Sequence, residues 1–68
     1  MTKIYYVHYT DKLHEFLVQK DADFIRINDM VLIKLEAYND TPFALLMLEF
    51  AEYLIGKNHE EFLTMHLN

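Results

Sequence analysis

The chain has 68 residues, no cysteine and a formal net charge of −5, and 53% of its residues are hydrophobic. This length suits one small domain, and the missing cysteines exclude disulfides and thiolate metal sites. The hydrophobic content excludes a disordered tail, and the acidic charge makes nucleic acid an unlikely main partner because phosphate binding depends on Lys and Arg. We therefore expect a single folded domain over residues 1–68.

The sequence also predicts where the protein resides. We expect no signal peptide, because the apolar stretch after the polar start is too short for a signal core. The apolar run at 43–48 is interrupted by Glu49, so we expect no membrane span. With no cysteine in the chain, these features predict a cytoplasmic protein without a membrane partner.

The first two predicted elements are a strand and a short helix. Residues 3–9 predict a strand, since β-branched and aromatic side chains dominate there, and aromatic residues on both faces indicate a central or well-covered position. Residues 12–20 predict an amphipathic helix, because apolar residues follow the i, i+3, i+4 spacing from Leu13 onward. Thr10 or its neighbour is expected to cap this helix.

Residues 24–27 and 31–38 predict a β-hairpin around an Asn-Asp pair that tolerates turn conformations. A two-residue loop would place Arg26 opposite Val31, on an apolar face. A three-residue loop, 28–30, instead pairs Ile27 with Val31 and separates apolar from mixed side chains. We expect the three-residue loop, because burial should select the register with one clean apolar face. That face comprises Ile25, Ile27, Val31, Ile33 and Leu35, and the mixed face comprises Phe24, Arg26, Leu32, Lys34 and Glu36.

Residues 42–55 predict the main helix, with Thr41 as its N-cap and Gly56 in the left-handed conformation at its end. The apolar arc of this helix spans about 220°, roughly twice what one core-facing helix needs. We therefore expect it to be covered on two sides, with Phe50 and Leu54 at the centre of the core.

Residues 59–67 predict a last short helix, since Asn58 can cap it and Glu61 follows at the capping-box spacing. The predicted fold class is α+β: a small single domain with the order β-α-β-β-α-α and a three-stranded antiparallel sheet with helices mainly on one face. The short helices leave the main helix incompletely covered, so we expect a homodimer. The expected self-association residues are Leu46, Leu48, Tyr53 and Ile55.

Most acidic residues lie near helix starts, in the turn or beside a lysine, but four have no local role that the sequence reveals. These candidate partner-binding residues are Asp21, Asp23, Glu49 and Glu52. They belong either to a solvated surface that keeps the chain soluble or to a face that binds a protein partner with a basic surface. The sequence leaves both interpretations open.

Catalytic, cofactor and metal sites have no support in the sequence. The single Gly excludes a Gly-rich phosphate loop, and the chain contains no Ser. His59 and His66 are too far apart in sequence for two ligands of one ion, and the Glu49–Glu52 pair lacks ligands from other helices. We therefore expect a protein that is not an enzyme and assign it no catalytic, cofactor-binding or metal residue.

The predicted function is a non-enzymatic protein–protein interaction module that self-associates. A small acidic domain of this kind suits an inhibitor or adaptor, such as a phage or mobile-element product that blocks a host enzyme, although this step is an analogy. One alternative is a DNA-mimicking inhibitor, which needs carboxylates in rows. Another is a small nucleic-acid-binding regulator that uses Lys12, Lys20, Arg26 and Lys34.

Overall fold

The computed structural model describes residues 1–56. In chain order the elements are β1 (Thr2–His8), α1 (Asp11–Gln19), β2 (Phe24–Ile27), β3 (Met30–Glu36) and α2 (Thr41–Ile55). This order confirms a small α+β domain whose described part reads β-α-β-β-α. The predicted final helix at 59–67 lies outside the described residues. Neither α1 nor α2 is long and apolar enough to cross a membrane.

The strands form one three-stranded antiparallel sheet, which confirms that part of the predicted fold class, and β3 lies in its middle. β1 pairs with β3 along its whole length, from Thr2 opposite Glu36 to His8 opposite Met30. The expected central position of the first strand is therefore wrong, because β1 is an edge strand. Its second aromatic face is also uncovered, and the Tyr6 side chain is 69% exposed.

The core lies between α1 and the inner side of β3. Leu13 and Leu17 of α1 and Val31 and Ile33 of β3 are fully or almost fully buried, and Phe16 joins them. Burying a side chain of this size contributes about 1.5–3 kcal/mol. The short helix α1, rather than the long helix α2, therefore anchors the sheet.

Helix α2 packs at the margin of this core, and none of its residues is fully buried. The Phe50 ring is half-buried, with its centroid 5.3 Å from that of Phe16, whereas Leu54 is 54% exposed. The prediction that Phe50 and Leu54 form the centre of the core is therefore wrong. The width of the apolar arc reflects apolar residues on the outer side of α2. Gly56 ends the helix with a φ of 78°, as expected, but the predicted N-cap is wrong, because Asp40 rather than Thr41 occupies that position.

The hairpin turn contains two residues rather than three. Ile27 lies opposite Met30, and Arg26 lies opposite Val31, so the predicted three-residue loop is wrong. Asn28 makes the short turn possible because its φ of 53° lies in the left-handed region, which Asn tolerates.

Arg26 explains why burial did not select the predicted register. Its guanidinium carbon lies 3.6 Å from the centroid of the Tyr9 ring, a cation–π geometry. Its Nε also donates to the backbone oxygen of Asn28 at 3.1 Å. The charged group therefore has partners at the rim of the helix-covered side. In consequence Ile25 and Ile27 lie on the other side of the sheet, where both are exposed.

Both ends of α1 are closed by specific hydrogen bonds. Thr10 Oγ1 accepts from the Leu13 N–H at 3.0 Å, which confirms the predicted N-cap. At the other end the Ala22 N–H donates to the Leu17 carbonyl at 3.0 Å, and Asp21 adopts a left-handed φ of 54°. This Schellman arrangement usually has Gly at the position of Asp21. Asp21 therefore has a local structural role that the sequence did not reveal.

We predict that Leu17→Ala lowers the free energy of unfolding by about 2–5 kcal/mol, because the side chain is fully buried. Leu54→Ala is the matched control: it removes the same atoms from a half-exposed site and should cost no more than about 1 kcal/mol. Urea denaturation followed by circular dichroism measures both values. Equal losses would mean that α2 contributes to the core as much as α1.

We predict that Asp21→Gly raises the free energy of unfolding by about 1 kcal/mol, because Gly adopts a left-handed φ without steric cost. Asp23→Gly removes the same charge two residues later, where φ is not left-handed. It should leave the melting temperature unchanged or lower it. Thermal melts of both variants test the difference, and a stabilisation common to both would assign the effect to charge instead.

Candidate functional site

The candidate functional site is the side of the sheet that faces away from both helices, which we call the open face. Alternation along each strand places one set of side chains under α1 and α2 and the other set on this side. The open face comprises Thr2, Ile4, Tyr6, His8, Ile25, Ile27, Met30, Leu32, Lys34 and Glu36.

Apolar side chains form rows across the open face. The strand registers place Leu32 between Tyr6 and Ile25, and Met30 lies beside Ile27 in the next row. Tyr6 is 69% exposed and Ile25 is 62% exposed. Contiguous exposed apolar patches of this kind are often functional in monomeric proteins.

A shallow groove of about 100 Å³ crosses the three strands on the open face. Its lining residues are Ile4, Asp23, Phe24, Ile25, Leu32 and Lys34. Sites for drug-sized ligands usually have roughly 300 Å³ or more. This groove therefore has the dimensions for one inserted apolar side chain, and Asp23 and Lys34 are among its lining residues.

The end of the open face beside the N-terminus carries an ionised carboxylate. The Thr2 hydroxyl donates to Glu36 Oε1, and the N-terminal ammonium lies 3.5 Å from Glu36 Oε2. The Thr2 hydrogen bond, with help from the ammonium, lowers the pKa of Glu36 below its usual value. The face is therefore apolar at the hairpin turn and polar at the opposite end.

The four acidic residues singled out from the sequence are divided between the two sides of the sheet. Asp23 lines the groove of the open face. Asp21 ends α1, and Glu49 of α2 forms an ion pair with Lys20. Glu52 lies half-buried on α2. None of the other three residues lies beside Asp23 on the open face. Partner binding by all four residues together therefore stays a prediction.

The four predicted self-association residues also divide into two pairs. Leu46 and Tyr53 pack against the core of their own chain, and the Tyr53 hydroxyl donates to Glu15 Oε2 at 3.1 Å. Leu48 and Ile55 are exposed, by 54% and 38%. Of the four, only Leu48 and Ile55 lie on the outer surface of α2. Whether they contribute to a dimer stays a prediction.

Several cations that a nucleic-acid surface would need have partners within the chain. Lys12 Nζ lies 3.6 Å from Glu15 Oε2, Lys20 pairs with a glutamate of α2, and Arg26 lies on an aromatic ring. Within residues 1–56, no group of three or more His, Asp or Glu residues is placed to hold a metal ion. The open face therefore differs from these paired cations in being mainly apolar and exposed.

Sequence reasoning missed the open face because it chose the wrong hairpin loop. The three-residue loop would have turned Ile25 and Ile27 inward. The two-residue loop, combined with the alternation of β1, places these isoleucines beside Tyr6 on one surface. The signal that could have found the site was the Asn-Asp pair, a composition that suits a two-residue turn.

β1 is held in place by contacts on its covered side. The Tyr5 hydroxyl donates to Asp40 Oδ1 at 2.7 Å, and its ring stacks on Phe43 with centroids 4.0 Å apart. The bond to the carboxylate raises the pKa of Tyr5 to about 12. The same bond, together with Lys3 at 3.6 Å, lowers the pKa of Asp40. These contacts fix β1 to the start of α2.

We predict that Tyr5→Phe lowers the melting temperature at neutral pH and that the difference from wild type shrinks at both pH extremes. The lowered pKa of Asp40 means that its bond adds stability above about pH 4, which is lost as pH falls. The raised pKa of Tyr5 means that this stability is present below about pH 10 and is lost as pH rises through about 12.

Thermal melts from acid to alkaline pH test this dependence. Tyr38→Phe is the control, since it removes a hydroxyl from a side chain that is 86% exposed. The control should melt like wild type at neutral pH. A destabilisation by Tyr5→Phe that stays constant across the whole range would assign the effect to ring packing rather than to the hydrogen bond.

In comparisons with known proteins, the chain matched no family model, no curated protein and no solved structure.

Proposed function

We propose that the protein is a non-enzymatic protein–protein interaction domain that binds a protein partner through the open face. The exposed apolar rows around Tyr6, Ile25 and Leu32 support this function. Removing such side chains from water contributes about 25 cal/mol per Å² of apolar area. A partner with a complementary apolar surface would supply that burial.

The chemistry of the face favours a protein over other ligands. The groove is small for a drug-sized molecule but fits one side chain, and interfaces commonly seat such an anchor at their centre. The chain's net charge of −5 opposes phosphate backbones. Asp23 at the groove favours a partner that presents a basic residue beside its apolar anchor.

In this proposal the domain acts as a small acidic inhibitor or adaptor. As an inhibitor, the domain would cover a surface that its partner needs for activity. As an adaptor, it would bring two proteins together. Asp23 is the acidic residue best placed to contribute, because it lies on the binding side of the sheet. Asp21 and Glu49 keep their roles in helix termination and ion pairing.

The test compares two glutamate substitutions of exposed apolar residues. Ile25→Glu changes the open face, and Leu48→Glu changes the outer side of α2 at a similar exposure of 54%. Wild type and both variants capture proteins from lysate of the native host, with quantitative mass spectrometry. We expect one partner to be retained by wild type and Leu48→Glu and lost with Ile25→Glu, because a charge in the apolar row must be desolvated.

A second arm measures association rates with that partner by surface plasmon resonance. Asp23→Asn should slow association, more strongly at low salt, because rim charges steer encounter. Asp21→Asn removes the same charge off the face and keeps a residue type that tolerates a left-handed φ, so it should bind like wild type. A partner retained by Ile25→Glu and lost with Leu48→Glu would move the binding site to α2 and overturn the proposal.

A further inference from the structure

The outer edge of β1 exposes backbone hydrogen-bonding groups. The Ala37 N–H donates to the Met1 carbonyl and the Tyr9 N–H donates to the Asp29 carbonyl, both at 2.7 Å. In an antiparallel pair, alternate residues direct both backbone groups to the same neighbour. The odd-numbered residues of β1 therefore bond to β3, and the even-numbered ones point outward. These are Thr2, Ile4, Tyr6 and His8, and within residues 1–56 no backbone hydrogen bond reaches their outward groups.

This edge has one of the features that usually protect an edge strand, the inward-pointing charge of Lys3, and lacks the others. Proteins blunt such edges with short strands, Pro, bulges or charges. β1 has seven residues, contains no Pro, Gly, Asp or Glu, and pairs with β3 without a bulge. Its lysine, Lys3, lies on the helix-covered side, 3.6 Å from Asp40. The opposite edge strand, β2, has only four residues. The longer edge is thus the better template for another strand.

We propose that β1 pairs antiparallel with β1 of a second copy, so that two chains share one continuous sheet. A two-fold axis beside Tyr5 places Ile4 opposite Tyr6 of the second copy, and Thr2 opposite His8. Every residue of β1 is then paired, and the outward groups of the even-numbered residues form the new ladder. Ile–Tyr is a favourable cross-strand pair. Lys3 lies opposite Val7, so the two lysines do not face each other.

The pairing also joins the two open faces into one. Ile4 and Tyr6 lie on that face, so each chain extends the apolar rows of the other. A strand from a different protein is the rival occupant, and so is a dimer formed by the outer side of α2. The second copy fits best because β1 matches itself over its full length in this register. The inference concerns the backbone edge and does not depend on the proposed function of the face.

Two measurements test the pairing. Sedimentation equilibrium of the untagged chain at micromolar concentration should give twice the monomer mass of 8.2 kDa. Because the chain has no cysteine, single substitutions then report which residues meet. Ile4→Cys mixed with Tyr6→Cys should form a mixed disulfide under mild oxidation, since hydrogen-bonded antiparallel pairs hold their Cα atoms about 5.5 Å apart.

Matched cysteines at other exposed apolar sites provide the controls. Ile25→Cys lies on the open face beside β2, and Leu48→Cys lies on α2, with exposures of 62% and 54%. The mixed Ile4–Tyr6 disulfide should exceed disulfides from either control by roughly tenfold or more, because pairing raises the effective thiol concentration. One of the two chains has a C-terminal mass tag. The mixed disulfide then differs in mass from the disulfides between two copies of the same variant.

Backbone N-methylation provides a test that keeps every side chain. A synthetic chain with N-methyl Tyr6 should be monomeric, because the methyl group blocks an outward donor. N-methyl Arg26, at an outward position of β2, should remain dimeric. A wild-type monomer, a dimer cross-linked through Leu48→Cys, or a dimer that survives N-methylation of Tyr6 would each overturn the proposal.

Discussion

The packing of α1 against the inner side of β3 determines where the other described elements lie. Val31 and Ile33 of β3 are completely buried, and Leu13 and Leu17 of α1 cover them. A strand buried on one side still needs backbone partners along both edges. β1 and β2 supply those partners, and α2 then fills the space beside α1 with half-buried aromatic rings. The long helix is placed by this core rather than the reverse.

The same arrangement leaves the described domain with two distinct surfaces. One side of the sheet holds the helices, and the other side presents apolar rows to solvent. Polar groups limit that apolar region: Lys34 and Glu36 lie at one end, and His8 lies in its outermost row. The apolar rows reach both edge strands of the sheet, where Ile4, Ile25 and Ile27 are exposed. The two sides of the sheet therefore differ in chemical character.

Local sequence patterns predicted the elements well where a side chain acts on its own neighbourhood. Thr10 caps α1, Gly56 ends α2, and the apolar spacing from Leu13 identifies the buried face of α1. For the hairpin the burial argument outweighed the local Asn-Asp signal and gave the wrong register, because it did not include the contact between Arg26 and Tyr9 across the fold. A charged residue opposite a buried valine looks unfavourable until that aromatic partner is known.

The candidate site was predicted least well, for a related reason. The apolar arc of α2 was measured correctly, but periodicity does not say which helix will occupy the core. Of the residues selected for partner binding or self-association, only Asp23 lines the groove of the open face. The open face follows only from combining the turn length with the pairing of three strands. That combination is a tertiary property, and no single segment of the sequence contains it.

The two-residue turn also has a kinetic consequence. β2 and β3 are adjacent in sequence, so their hairpin can form within about 1–10 μs. β1 must instead close a long loop before Thr2 meets Glu36, and loop closure slows such non-local pairing. Until β1 docks, β1 and one edge of β3 lack their strand partners. A crowded solution of refolding chains therefore faces a competition between docking within one molecule and strand exchange between molecules, and dilution during refolding favours the former.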